Sequence, residues 1–260
     1  MSHQTKKSLG QHFLADPAMI EKIVCAIGPQ PGQRLIEIGP GAGAITRPLL
    51  QRHGALTVIE FDRDLIAPLT ALGAELGAEL NIVHADVLTV DFTALAGDQP
   101  IRLVGNLPYN ISSPILFHAL DHLPVITDMV FMLQKEVVDR MAAAPGSKVY
   151  GRLSVMLQAR CKVTPLIKVP PGAFRPPPKV DSAVVRLEPR PADELGLQQP
   201  ALFERVVRAA FAQRRKTLRN ALGEVCSAEQ MQALDIDPGA RAETIAVSDY
   251  VRLANALGAA

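Results

Sequence analysis

Between residues 34 and 135 the chain alternates short aliphatic and β-branched runs with longer stretches whose apolar positions recur at helical spacing. The runs are RLIEIG, ALTVIEFD, LNIVHAD, IRLVGN and DMVFMLQ. This rhythm predicts βαβ units and a mostly parallel sheet covered on both faces. Residues 165–191 break the rhythm with eight prolines around two more β-type runs, TPLIKV and SAVVRL. Their apolar flanks predict rigid loops around a final hairpin rather than a polyproline ligand. After PADELGLQQP the pattern becomes helical: Ser227 is followed three positions later by Gln230, and Ser248 stands ahead of DYVRLANAL, both expected helix starts. The pattern places an α/β domain over residues 1–192 and a small helical domain over 193–260, with no internal repeat.

Composition narrows this picture only a little. A length of 260 residues suits one full core and a smaller appendage. With 27 Lys plus Arg against 26 Asp plus Glu, total charge names no partner, so its distribution has to be read instead. Cys25, Cys161 and Cys226 are odd in number and far apart, which predicts buried free thiols in a reducing compartment and no CxxC site. The opening MSHQTKKSLGQHFLAD lacks an apolar core of signal-peptide length, and no run approaches the roughly 18 apolar residues of a membrane span. A soluble, cytoplasmic protein is expected.

Candidate chemistry gathers at the ends of the strand runs. LIEIGPGAGAIT sets Gly39, Gly41 and Gly43 directly after the first run, where the backbone can turn tightly and a ligand can approach closely. Gly39, Gly41 and Ala44 also satisfy the dinucleotide fingerprint, so the loop alone leaves a nicotinamide oxidoreductase open. Glu60 ends the next run roughly 20 positions on, where a carboxylate can accept ribose hydroxyls in either case. Asp86 ends the third run, within reach of an adenine amine, although a strand-end acid can equally cap a helix. Two such carboxylates without a cation in the glycine loop suit a nucleoside that brings no pyrophosphate, such as adenosine carrying a sulfonium amino acid.

The fourth run ends in Asn106, Leu107, Pro108 and Tyr109. An adenine amine is a poor nucleophile because its lone pair is delocalised into the ring. Two acceptors, the Asn106 side-chain oxygen and the Leu107 carbonyl, can draw it toward tetrahedral geometry, with Pro108 restricting the backbone around them. A neutral amide serves better than a carboxylate that would have to be desolvated. Tyr109 offers a flat face to an unstacked base, a contact of roughly 1 to 3 kcal/mol. The alternative is a strand stop with a packed tyrosine.

NLPYNISSPIL, QKEVVDRMAAAPGSKVYGRLSV, FRPPPKVDSAVVRL and FAQRRKTLRNAL together resemble the ribosomal RNA adenine dimethyltransferases, most closely the bacterial enzymes of the small subunit. The resemblance runs from about Gln11 to the last helix. It implies a seven-stranded class I (Rossmann-like) methyltransferase sheet with a small all-helical C-terminal domain. It implies S-adenosyl-L-methionine as cofactor, no metal, and dimethylation of two adjacent adenosines near the 3′ end of 16S rRNA, late in assembly of the small (30S) subunit. A monomer is expected, with a large-subunit rRNA methylase or an assembly-binding factor as the alternatives. Matched to the family motifs, the cofactor contacts fall on His12, Leu14, Gly39, Gly41, Glu60, Asp86 and Asn106, and His12 stands where the family more often has Asn. Phe174 matches an aromatic that closes on the other face of the target base; otherwise it plugs the core.

Residues 203–220 hold six basic residues and one acid. On a continuous helix Phe203, Val207, Phe211, Leu218 and Leu222 would share one side, with Arg205, Arg208, Arg215, Lys216 and Arg219 opposite. Arg214 would fall among the apolar positions, which predicts a helix break between Gln213 and Thr217 or an Arg214 aimed into a cleft. Beside a nucleobase site such a stripe reads as phosphate-tracking, with Lys148 and Arg152, and then Lys6 and Lys7, as further candidates. His118 and His122 stand at i, i+4 without the Glu of HExxH or a third ligand, so an exposed helix face is expected there and no metal.

Overall fold

The computed structural model describes residues 12–213 and 215–259. In chain order the elements are β1 (Phe13–Leu14), α1 (Pro17–Ile27), β2 (Arg34–Ile38), α2 (Thr46–His53), β3 (Ala55–Glu60), α3 (Arg63–Leu76), β4 (Glu79–His84), α4 (Phe92–Ala96), β5 (Ile101–Asn106), α5 (Ser112–Leu120) and β6 (Ile126–Gln134). They continue with α6 (Lys135–Met141), α7 (Arg152–Gln158), β7 (Cys161–Val169), β8 (Phe174–Arg175), β9 (Ser182–Pro189), α8 (Pro200–Ala210), α9 (Leu218–Leu222), α10 (Ala228–Gln232) and α11 (Val247–Gly258). All five strand runs read between residues 34 and 135 are strands.

Seven strands form one sheet in the order β4-β3-β2-β5-β6-β9-β7. The pairs β4–β3, β3–β2, β2–β5 and β5–β6 are parallel, and β9 lies antiparallel to β6. The chain winds outward from β2 through β3 to β4, then returns to β2's other side as β5. The carboxyl ends of β2 and β5 thus flank the point where strand order reverses, the place where open α/β sheets bind ligands. The two proline-flanked runs, β7 and β9, are neighbours at the opposite edge. Leu35, Val58, Val104, Val130 and Val184 from the strands pack with Ile23 and Val24 of α1, Leu49 and Leu50 of α2, and Leu65 and Leu69 of α3 in one apolar core.

The chain divides into two compact units, residues up to 138 with 164–188, and residues 139–163 with 189 onward. The single boundary read near residue 193 thus differs from the structure, whose second unit also takes the segment carrying α7. That segment is tied to the C-terminal helices: α7 buries Leu153, Val155, Met156 and Leu157, and the Tyr150 hydroxyl donates to the Ile245 carbonyl at 2.9 Å. A linear reading of composition cannot see such an excursion. Within this unit α8 buries Phe203, Val206, Val207 and Ala210. The helix stops at Ala210 and resumes at Leu218, an interruption wider than the one expected, so Leu218 and Leu222 are buried on α9 and not in line with Phe203. Ser227 caps α10 reciprocally with Gln230, as read, whereas α11 starts at Val247 behind Ala246, leaving Ser248 inside its first turn.

Two smaller expectations fail. Cys161 and Cys226 are buried, but Cys25 is exposed on α1 beside Glu21 and Arg52. His118 and His122 are half-buried against Phe92, with ring centroids 5.1 and 5.3 Å from it, and each bonds a backbone carbonyl, of Val90 and His118 respectively. Among the described residues no helix is long and apolar enough to cross a membrane, and no three His, Cys, Asp or Glu side chains converge as metal ligands would.

Candidate active site

A cavity of about 330 Å³ opens at the carboxyl ends of β2, β3 and β5. Its walls include all seven residues read as cofactor contacts, His12, Leu14, Gly39, Gly41, Glu60, Asp86 and Asn106, together with Leu107, Pro108 and Tyr109. Segments far apart in sequence are brought together by the sheet's switch point and by a separate two-stranded pairing. In that pairing β1 lies antiparallel to β8, Phe13 opposite Arg175 and Leu14 opposite Phe174, and the amides of Ala15 and Asp16 donate to the Ala173 carbonyl. The small ladder holds His12 and Leu14 at the cavity wall. It carried no sequence signal, because two-residue strands have no periodicity.

Glycine is required at two places. Gly41 takes φ +57°, and a Cβ there would lie 3.2 Å from the Phe13 ring. At Gly105, one residue before Asn106, a Cβ would lie 2.3 Å from the Ile38 carbonyl oxygen on the neighbouring strand. Only glycine lets β5 run this close to β2.

The cavity's carboxylates are held from behind. Glu60 is buried and accepts the Gly41 amide at 3.2 Å on Oε2 and the Asp62 amide at 2.7 Å on Oε1. Burial raises its pKa, the amides from Asp62 and Gly41 oppose the rise, and the charge of Asp62 adds to it. Asp86 accepts the Leu88 amide at 3.0 Å and so caps a short turn while still lining the cavity. Capping the turn therefore does not take Asp86 out of the cavity wall.

Among the wall residues that the sequence did not single out are Glu37 and Phe61. Glu37, inside β2, is fully buried and accepts the Thr46 hydroxyl at 2.7 Å. Burial pushes its carboxyl up to about 7, with Thr46 opposing and the charge of Glu60 adding to the rise. Phe61 is 62% exposed and lines the same space directly after Glu60. An acid amid aliphatic neighbours and an aromatic just past a strand-end acid were the available signals.

Around the Asn106 cluster the geometry is definite. The Asn106 Nδ2 donates to the His12 carbonyl at 3.4 Å, which leaves Oδ1 as the free end of the amide. The Leu107 amide donates to the Met132 carbonyl at 3.1 Å, fixing the backbone between Asn106 and Pro108. Tyr109 lies near-parallel to the His12 imidazole, centroids 6.0 Å apart and planes 26° apart, while His12 Nδ1 donates to the Pro176 carbonyl at 2.9 Å. The site thus presents the Asn106 amide oxygen, flat aromatic surface and the carboxylates of Glu60 and Asp86 within one concavity, with Glu37 and Asp62 also in its wall.

Phe174 departs from the expectation. Its ring is 0% exposed, packed in the core cluster with Leu14 and Ala173, and it does not line the cavity. Alternation along β8 sends Phe174 inward and Arg175 outward, so the packing alternative describes this residue.

The basic candidates form a different kind of surface. Arg215, Lys216 and Arg219 are exposed, as are Arg205 and Arg208, while Lys6, Lys7 and Arg214 lie outside the described residues. The Leu218 and Arg219 amides donate to the carbonyls of Ala240 and Pro238, and Thr217 bridges Arg241, which adds an exposed cation absent from the sequence reading. Lys148 is exposed in the loop before α7, whereas Arg152 is half-buried and paired with Glu204 at 3.1 Å.

The profile of the family described as "Ribosomal RNA adenine dimethylase" matches residues 2–258. The chain is 68% identical over 254 residues to the ribosomal RNA small subunit methyltransferase A of Xanthomonas campestris pv. campestris (strain B100), and 69% identical to that of Xanthomonas oryzae pv. oryzae (strain PXO99A). Each alignment covers 98% of this chain and 97% of the relative. Among solved structures it is similar to a dimethyladenosine transferase from Plasmodium falciparum, with TM-score 0.81 and 26% identity over 93% of this chain and 96% of that one. The 23S rRNA methyltransferase ErmE follows with TM-score 0.72 and 27% identity over 95% and 99%. Likeness across nearly the whole length, on a fold whose switch-point cavity pairs nucleoside-type acids with an amide acceptor, leaves no room for a nicotinamide enzyme: the chain belongs to the ribosomal RNA adenine dimethylase family.

Proposed function

We propose that this protein uses S-adenosylmethionine to dimethylate the exocyclic amines of two adjacent adenosines near the 3′ end of 16S rRNA, within the small subunit during late assembly in the cytoplasm. The small-subunit assignment rests on relatives at 68% and 69% identity that carry that substrate in their names. The chemistry rests on one observation above all: the Asn106 amide is pinned through Nδ2, so its oxygen is the group offered to a substrate amine.

The wall fits the cofactor. Glu60 and Asp86 supply acceptors for the ribose and adenine, the Gly39–Gly41 turn lets the backbone close on the amino-acid end, and exposed Phe61 offers an apolar face. When bound, S-adenosylmethionine supplies a methyl group made electrophilic by its sulfonium. The protein's own residues do the rest. Tyr109 carries the extruded base on its ring. Asn106 Oδ1 and the Leu107 carbonyl accept the two N–H bonds of the amine and turn its lone pair toward the methyl. Arg215, Lys216, Arg219 and Arg241 hold rRNA phosphates without reading bases.

Incubation of the protein with methyl-labelled S-adenosylmethionine and undermethylated small subunits, followed by mapping of the modified nucleosides, is the test. Dimethyladenosine at two adjacent positions of 16S rRNA is the expected result. Label in large-subunit RNA alone, or no label, contradicts the proposal.

A further inference from the structure

Tyr109 sits half-buried in the turn between β5 and α5, with its ring toward His12. Its hydroxyl shares a 2.7 Å hydrogen bond with the hydroxyl of Ser182, the first residue of β9. In the sheet β9 lies beyond β6, so the ring reaches across the end of the intervening strand to be held at its tip. The far end of this tether is itself held by the sheet. Ser182 is completely buried and paired opposite Gln134, and the preceding Asp181 accepts the Lys135 amide at 2.9 Å and the Lys168 ammonium at 2.8 Å. At the near end the Tyr109 carbonyl accepts the Ser112 hydroxyl at 3.2 Å. Backbone and ring tip are thus fixed independently, one by α5 and the other by β9.

We propose that Ser182 is a positioning residue for methyl transfer: its bond to Tyr109 fixes the plane on which the target adenine stacks, and that restraint matters more for the second methyl than for the first. The inference rests on the reading of Tyr109 as the base platform. An unmethylated amine offers equivalent hydrogens and can react from either rotamer. A monomethylated amine has one hydrogen left, and its methyl must point away from the cofactor, so the same lone-pair alignment is reached from fewer orientations. A ring free to swing therefore slows the second transfer more than the first. The hydroxyl of Tyr109, which stacking alone does not require, gains a function.

Single-turnover methylation of undermethylated small subunits by Ser182→Ala, Tyr109→Phe and the double variant, with mono- and dimethyladenosine separated by chromatography, tests this. Each single change is expected to slow dimethylation by about three- to tenfold, the net worth of one hydrogen bond, and to raise the monomethylated share. The double variant is expected to match either single one, because all three lose the same bond. Cofactor affinity by calorimetry should stay at the parent's value. Ser182→Cys, close in size and a weak donor, should fall between parent and Ser182→Ala. A parental rate and product ratio in Tyr109→Phe, which leaves the buried position intact, overturns the inference, as do losses that multiply in the double variant. The parent runs in the same assay, so a failure of the functional reading shows in the parent, and a failure of this inference only in the variants.

Discussion

The cavity at the ends of β2, β3 and β5 and the basic segment around α9 are built to opposite designs. In the cavity nearly every polar group is fixed by a second one: Glu60 by two backbone amides, Asn106 by the His12 carbonyl, Tyr109 by Ser182. Around α9 the backbone is held by Ala240 and Pro238, while the side chains of Arg215, Lys216 and Arg219 are exposed. Methyl transfer needs reacting atoms held to a fraction of an ångström, whereas phosphate binding sums many loose charges. Single substitutions should therefore be severe in the cavity and graded in the basic segment.

The severest is expected at Asn106. Replacement by Ala removes the acceptor proposed to act on the reacting amine, and single-turnover methylation should fall by roughly 100-fold or more while small subunits still bind. A loss below tenfold would place the activating group elsewhere.

Gly105→Ala attacks the scaffold behind the same residue. Its Cβ meets the Ile38 carbonyl at 2.3 Å, so β5 has to move away from β2, and urea denaturation should report about 3 kcal/mol lost. A parental midpoint would mean that the strand spacing is not what demands glycine.

Glu37 sharpens the contrast through pH. Its carboxyl is raised from 4.5 to about 7 by burial, so the folded protein keeps a proton that the unfolded chain has released. That contribution is complete below pH 4.5 and is lost as pH rises through about 7, a change of roughly 3 kcal/mol. Glu37→Gln stays neutral and can still accept from Thr46, so stability curves of parent and variant should diverge across that window. Parallel curves would show that Glu37 is ionised throughout.

Glu60→Ala should weaken S-adenosylmethionine binding by about 10- to 100-fold in calorimetry, from the loss of charge-assisted hydrogen bonds worth roughly 1.5 to 3 kcal/mol. Unchanged affinity would displace the cofactor from this cavity.

The legibility of the two regions differs for physical reasons. The strands from β2 to β6 were plain because buried parallel strands are continuous apolar runs, and the place of Gly39, Glu60, Asp86 and Asn106 in the cavity wall followed from their positions at strand ends. Glu37 was hidden because its acid interrupts such a run without any local partner. Phe174 was misread because a motif match carries no information on which side of a two-residue strand a ring faces, and the structure buries it. The segment 139–163 was misassigned because its partners, Ile245 among them, lie about a hundred residues away. Around α9 charge alone was legible, so Arg241 was missed: the Thr217 bridge that brings it alongside is a long-range backbone contact.

One titration tests whether the two regions divide the labour in this way. Small-subunit affinity is measured against salt concentration for the parent, for Asn106→Ala, and for a variant with Arg215, Lys216 and Arg219 all changed to Gln. Asn106→Ala is expected to keep the parental slope, whereas the triple variant should lose about one unit of slope per phosphate contact removed and recover methylation at low salt with its cofactor affinity intact. A triple variant whose salt slope equals the parent's would show that these cations are only a solvated helix face, and that the RNA is held elsewhere.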